Sequence, residues 1–472
     1  MKEERDNFFE DEEMLEAVYR FEDMIRNKTN AYFDVEELEN IIDYYIDNDN
    51  YKSAQTATDL ASKLHPTSSA IQLKKAQLLI DRGNFNEAFR IVEEIEKIET
   101  QNFDVSFLKA RLYLYMNKIP YAREQFELAI ALVYTNLDEV LFEIAGVFDQ
   151  FFYYDEAIKY LKRAHKHNLN NSEVIYELAF AFEKLGNSAE SIRYYNVYLD
   201  LEPFSETAWF NIGYNFNRLE KYQKAIEAFD YAIALNENFS SAYFNKANSL
   251  ANLEKYDDAI KVYEEFLGVE ENNEQALFYI AECYDKMEDS ENAIQYYHKS
   301  IEVNEAFSDA HFGLSMVYHQ LNELKKSKAC IATALELDAE NPEYWFLNGK
   351  IYLKENNLAE SIKSFKRVTE LDPHDTEAWF NLSYALYQSG QSAKGIYSLN
   401  EALELNVDDA DIHYHLAALW IKKDDVNMGL SHFQKALHIN KDLVGDLFDF
   451  YPDLKSHRDI NLLLSKLDRT AE

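Results

Sequence analysis

The chain has 472 residues, with 85 Asp and Glu against 47 Lys and Arg, a formal net charge of −38. So acidic a surface opposes binding to the phosphates of nucleic acid or to anionic lipid. Its 11 glycines and 6 prolines exclude collagen-like, linker-rich and turn-rich all-β architectures, and two cysteines, Cys283 and Cys330, exclude a disulfide framework or a Cys-rich metal site.

The first twenty residues are strongly charged and lack the apolar run of a secretory signal, and no later stretch approaches about 20 apolar residues. A cytoplasmic location without membrane insertion is the resulting expectation. Glu13–Asn27 carries Leu15, Val18, Tyr19 and Ile25 at helical spacing, which predicts an N-terminal capping helix within residues 1–34.

From Val35 to Leu443 the chain is periodic. Small residues recur every 34 positions: Ala54, Ala88, Ala122, Ala157, Ser191, Ala225, Ala259, Ala293, Ser327, Ser361, Gly395 and Gly429, with one step of 35 after Ala122. These twelve units span 409 residues. Numbering each unit 1 to 34 puts those residues at position 20. Position 8 is then small in eleven of twelve units, from Ala76 to Ala417, with Ile42 the exception. Position 24 is often aromatic, as at Phe126, Tyr195, Phe229, Tyr263, Tyr297, Phe365 and Phe433.

Positions 4, 7, 8 and 11 share one stripe of a first helix, A; positions 20, 24, 27 and 28 share one stripe of a second, B. Small residues at 8, 20 and 27 let the two axes approach while large ones fill the space alongside. Gly83, Gly186 and Gly390 all fall at position 15, where glycine supplies the left-handed cap that ends helix A. After the repeats, residues 444–472 predict a C-terminal cap. There Leu447, Phe448, Phe450 and Tyr451 lead to Pro452 and to a helix over 458–467 with Ile460, Leu463, Leu464 and Leu467 on one stripe.

With Trp209, Gly213, Ala225, Phe229 and Ala232 in one unit and Trp379, Leu382 and Ala402 in another, the sequence resembles the tetratricopeptide repeat family. The resemblance implies an all-α, right-handed superhelical solenoid of about twelve helix–turn–helix units with terminal cap helices. It also implies a non-enzymatic scaffold or adaptor that binds a peptide segment or helix in its concave groove.

Positions 5, 9 and 12 of helix A lie about 100° from the buried stripe, and in the family this stripe lines the groove. Position 5 is aromatic in ten consecutive units: Phe107, Phe142, Tyr176, Phe210, Phe244, Phe278, Phe312, Phe346, Phe380 and Tyr414. Positions 9 and 12 add Phe180, Tyr214, Tyr384 and Tyr387, with polar Asn217 and Asn248. Such rings serve either as contacts for a partner or as packing against the next helix A. The cluster Tyr176, Phe180, Phe210, Tyr214 and Phe244 is aromatic on two stripes at once, which favours the first role there. An aromatic ladder also suits a carbohydrate or another non-protein ligand. Some relatives clamp C-terminal carboxylates with lysine at position 5, a residue that position never carries here. Position 2 is acidic in eight units, including Asp309, Glu343 and Glu377, which favours a basic or amphipathic partner.

No HExxH, CxxC, P-loop, GxSxG or GxGxxG motif occurs, and the twelve histidines show no ligand spacing. The expectation is a chain without catalytic residues, cofactor or metal.

Overall fold

The structure, a computed structural model, describes residues 3–406 and 409–468. They form α-helices and one short 3-10 turn, with no strand among the described residues. The chain divides into two compact units, Met1–Lys221 and Tyr222–Glu472.

In the first unit the helices are α1 (Glu3–Asn27), α2 (Val35–Asp47), α3 (Tyr51–Leu64), α4 (Ser69–Asp81), α5 (Phe85–Glu96), α6 (Phe103–Tyr115), α7 (Ile119–Ile130), α8 (Leu137–Gln150), α9 (Tyr154–His167), α10 (Ser172–Lys184), α11 (Ser188–Leu201) and α12 (Glu206–Arg218). In the second they are α13 (Tyr222–Leu235), α14 (Ser240–Asn252), α15 (Tyr256–Val269), α16 (Glu274–Lys286), α17 (Ser290–Val303), α18 (Ser308–Gln320), α19 (Leu324–Leu337), α20 (Pro342–Lys354), α21 (Leu358–Leu371), α22 (Thr376–Gln388), α23 (Ser392–Leu405), α24 (Ala410–Lys422), α25 (Val426–Ile439), α26 (Val444–Phe450) and α27 (Arg458–Asp468). Within each unit an A helix packs on its own B helix, and each B helix on the next A helix. The expected all-α stack of helical hairpins is what the chain forms.

The hairpins start and stop by local chemistry. Side chains of Asp34, Asn171, Asn273, Asp375 and Asp409 each accept the N–H three residues on, satisfying a donor that the helix leaves open. Every A–B turn places position 15 at positive φ: Gly83, Gly186 and Gly390, but also Asp49, Asn117, Phe152, Glu220, Glu254, Glu288, Asn322, Asn356 and Asp424. The next N–H then reaches back to the carbonyl of position 11, as from Asn187 to Phe182 and from Gln391 to Leu386. That bond is the closing element of a Schellman motif, so the turn geometry holds with or without glycine.

Positions 8 and 20 meet in the hairpin seam. Ser315 Oγ donates to the Ser327 carbonyl at 2.8 Å, and Ser327 Oγ to the Ser315 carbonyl at 2.9 Å. A Cβ on Gly395 would lie 2.9 Å from the Ser383 carbonyl oxygen. The large position-24 rings, from Phe126 to Phe433, are buried beside these seams.

Both ends differ in part from expectation. Helix α1 buries Ala17, Val18, Phe21 and Met24 against α2; of the expected stripe only Val18 is buried, while Leu15, Tyr19 and Ile25 are exposed. The face is offset because Phe21 seats between Phe33 and Tyr45, with ring centroids 6.1 and 6.0 Å away. At the other end α27 packs on α25, with Ile460 buried and Leu463 and Leu464 partly so; Leu467 lies outside the described side chains.

Candidate functional site

Sequence position 5 leads to one recurring contact. In at least six repeats its ring meets the position-24 ring of the same repeat, with centroids 5.3–5.8 Å apart: Phe107–Phe126, Tyr176–Tyr195, Phe244–Tyr263, Phe278–Tyr297, Phe346–Phe365 and Tyr414–Phe433. Each A-helix ring thus rests on its own B helix. Packing on the next A helix occurs at Phe244–Tyr279 and Phe380–His415.

In the first unit Phe107 is buried and Phe142, Tyr176, Phe180, Phe210 and Asn217 are half-buried, while Tyr214 is exposed. The Tyr176 hydroxyl accepts from Asn211 Nδ2 at 3.1 Å, and Lys184 Nζ lies 4.6 Å from the Phe180 ring centre. In the second unit Phe244, Asn248, Phe278, Phe312 and Phe346 are half-buried. Phe380 and Tyr414 are buried, and the Tyr414 hydroxyl donates to the Asn440 carbonyl at 3.0 Å. Phe107, Phe380 and Tyr414 thus pack against the chain's own rings and keep little exposed surface.

Half-buried Phe312 and Phe346 line a cavity of about 590 Å³. Helix α18 contributes Phe312, Met316, His319 and Gln320; α20 contributes Pro342, Glu343, Phe346, Leu347 and Lys350; the loop before α22 and its first turn contribute Asp372, Asp375 and Glu377. Phe312 sits at position 5, Met316 at 9 and His319 at 12, on the stripe read from the sequence. Met316, at stripe position 9, with Pro342 and Leu347 adds apolar surface that a pattern of aromatic and polar residues does not mark.

Four carboxylates face this cavity with one lysine among its lining residues. Lys350 Nζ is 3.2 Å from Glu377 Oε1 and 4.5 Å from the Phe346 ring centre, so its charge is already engaged. The Asp375 carboxylate caps α22 through the Ala378 N–H at 3.0 Å. Burial, with Lys354 and Lys350 nearby, pushes the His319 imidazole below its usual range, and its Nε2 is buried without a hydrogen-bond partner. The wall is apolar and the rim is acidic. Among the described residues, no group of His, Cys, Asp and Glu could hold a metal ion, and no helix is long and apolar enough to cross a membrane.

The stripe is not open throughout. At the end of the second unit the chain's own Phe450 and Tyr451 lie against Tyr384, with Tyr451 also against Tyr387. These two residues, expected on the partner face, are covered by the segment after α25.

Family models describe much of this architecture. A tetratricopeptide repeat model matches residues 176–242 and 244–301, a second tetratricopeptide repeat model matches 308–341 and 376–409, and a TPR repeat model matches 349–390. The chain is a tetratricopeptide-repeat protein. Such repeats build protein-interaction scaffolds, and that is the chain's general role. No curated protein matches the sequence. Among solved structures, this tetratricopeptide-repeat chain is similar to MamA (41-end) from Desulfovibrio magneticus RS-1, at 20% identity over 36% of this chain and 95% of that one, TM-score 0.34. It is also similar to the APC/C hetero-tetramer Cut9-Hcn1, at 14% identity over 94% of each chain, TM-score 0.39. A third similar structure is YrrB, described as a TPR protein with an unusual peptide-binding site, at 18% identity over 42% of this chain and 97% of that one, TM-score 0.33.

Proposed function

We propose that the chain binds a basic or amphipathic segment of a partner protein in the cavity between α18, α20 and the start of α22. The observation that carries this is the cavity itself: an apolar wall of Phe312, Met316 and Phe346 beneath a rim of Glu343, Asp372, Asp375 and Glu377. Rigid rings and a pliant methionine give contact area at small entropic loss, and the acids favour a cation beside the apolar anchor. The same polarity recurs at A-helix stripe positions elsewhere. Burial pushes the carboxyl groups of Asp149 and Glu183 in the first unit, and of Glu282 and Asp285 in the second, above the usual range. A bound cation would offset part of that cost by its attraction for the carboxylates.

Selection of peptides from a random display library on the full chain tests this reading. Enriched sequences are expected to combine a large apolar residue with neighbouring Lys or Arg, and to lose binding as salt rises. Enrichment of acidic sequences, or of none that the Phe346→Ala chain fails to enrich equally, contradicts it.

A further inference from the structure

The segment after α25 does something a terminal cap does not require. Helix α27 packs on α25, while α26 packs on α24. The stretch between, Leu447–Ser456, lies across A-helix positions of the last two repeats. The Phe450 ring is 5.8 Å from Tyr384 and 4.9 Å from His415; the Tyr451 ring is 5.9 Å from Tyr384, 6.1 Å from Tyr387 and 5.7 Å from His415. Asp453 pairs with Lys422. These contacts use positions 9 and 12 of one repeat and 6 and 13 of the next.

The fit is incomplete in a telling way. Tyr451 and His415 are both more than nine-tenths buried, at 2% and 4% exposure, yet the Tyr451 hydroxyl and His415 Nδ1 find no hydrogen-bond partner. Each such orphan loses its water partners on burial and gains nothing in return. A segment selected solely to seal the fold permanently would satisfy or avoid them; a segment that must leave tolerates them.

We propose that the face of α22 and α24 formed by Tyr384, Tyr387, His415 and Lys422 is a second peptide site, held in cis by Leu447–Ser456 and open to a partner segment of the same chemistry: two adjacent aromatic residues, then proline, then an acid. The cis segment is tethered through residues 440–446, so its effective concentration is high, on the order of millimolar. A competing partner succeeds by supplying the hydrogen bonds the cis segment lacks. The site is separate from the α18–α20 cavity and stands without it.

Fluorescence anisotropy with a labelled synthetic peptide, LFDFYPDLKS, tests the site in the full chain. Wild type is expected to bind weakly, and Tyr451→Ala, which unseats the cis segment, at least about tenfold more tightly. Lys422→Glu added to that variant should abolish the binding, while Tyr231→Ala, an exposed ring on α13, should leave it unchanged. Equal binding by wild type and Tyr451→Ala, binding that survives Lys422→Glu, or a dimer of Tyr451→Ala that captures no peptide overturns the proposal. If Tyr451→Ala loses its helical signal, Asp453→Asn replaces it with the rings intact. Amide exchange on unaltered protein provides an independent check. The 447–456 amides should exchange well ahead of those in α24, and protection equal to that of α24 would mark the segment as a fixed cap.

Discussion

Glycine positions separate close packing from open space at the level of single residues. A Cβ on Gly313 would lie 2.5 Å from the buried Tyr297 ring, whereas one on Gly268, in α15, meets nothing within 4 Å. Gly313→Ala is expected to destabilise by about 1–3 kcal/mol through forced displacement of that ring. Gly268→Ala is expected to stabilise by up to about 1 kcal/mol through helix propensity. Urea unfolding of the two variants checks the pair, and equal effects would contradict the packing described. His415 gives a pH prediction. Stacked 4.4 Å from Phe380 and enclosed by Phe450 and Tyr451, it is pushed by burial from 6.5 down to about 3. Tyr451 is pushed upward and stays neutral, and the nearby charges, Lys422 and Asp453, are paired. The opened state therefore takes up the proton first. Closure of the segment is at full strength above pH 6.5 and weakens as pH falls from there toward 3, by about 1.4 kcal/mol per pH unit. Amide exchange across 447–456, corrected for intrinsic rates, should show this slope, and His415→Phe should remove it.

The helical hairpin accounts for how much was legible in the sequence. Spacing of small residues located both helices of each repeat because the seam physically requires them, as the Ser315–Ser327 exchange and the crowding at Gly395 show. The turn was half legible: three glycines marked position 15, but nine other residues adopt the same left-handed backbone. Phe152 is the least suited of them, at φ 61° with its ring 76% exposed. Phe152→Gly is expected to stabilise the α8–α9 turn by about 0.5–1 kcal/mol, since strain is removed and little burial lost; a lower melting temperature would show that the ring has a packing role. What the sequence concealed lies beyond its period. Helix α1 turns Ala17 and Phe21 inward because of Phe33 and Tyr45. Phe450 and Tyr451 settle on Tyr384 and His415, more than thirty residues away for each ring pair with His415 and farther for Tyr384. Neither arrangement has a repeating signature; each depends on surfaces that exist only after folding. The α18–α20 cavity was legible as a stripe but not as a hollow, because its depth depends on Met316 and Leu347 and on the loop before α22.

Across the whole molecule, each hairpin touches its neighbours within its unit and little else. Stability in such an array is close to a sum of hairpin and interface terms. Chemical unfolding is expected to proceed in more than one step, with Gly313→Ala accelerating exchange in α16–α20 and leaving α2–α7 unchanged; a single cooperative loss of all helices would contradict this. The central claim is that binding belongs to the hollow of the A-helix stripe and not to the acidic surface in general. The direct measurement is the affinity of a library-selected peptide for wild type, Phe346→Ala and Tyr397→Ala, the last an exposed ring on α23. The account predicts a loss of at least about tenfold for Phe346→Ala, in the range of interface hot spots, and no change for Tyr397→Ala. Equal affinity for all three would contradict it.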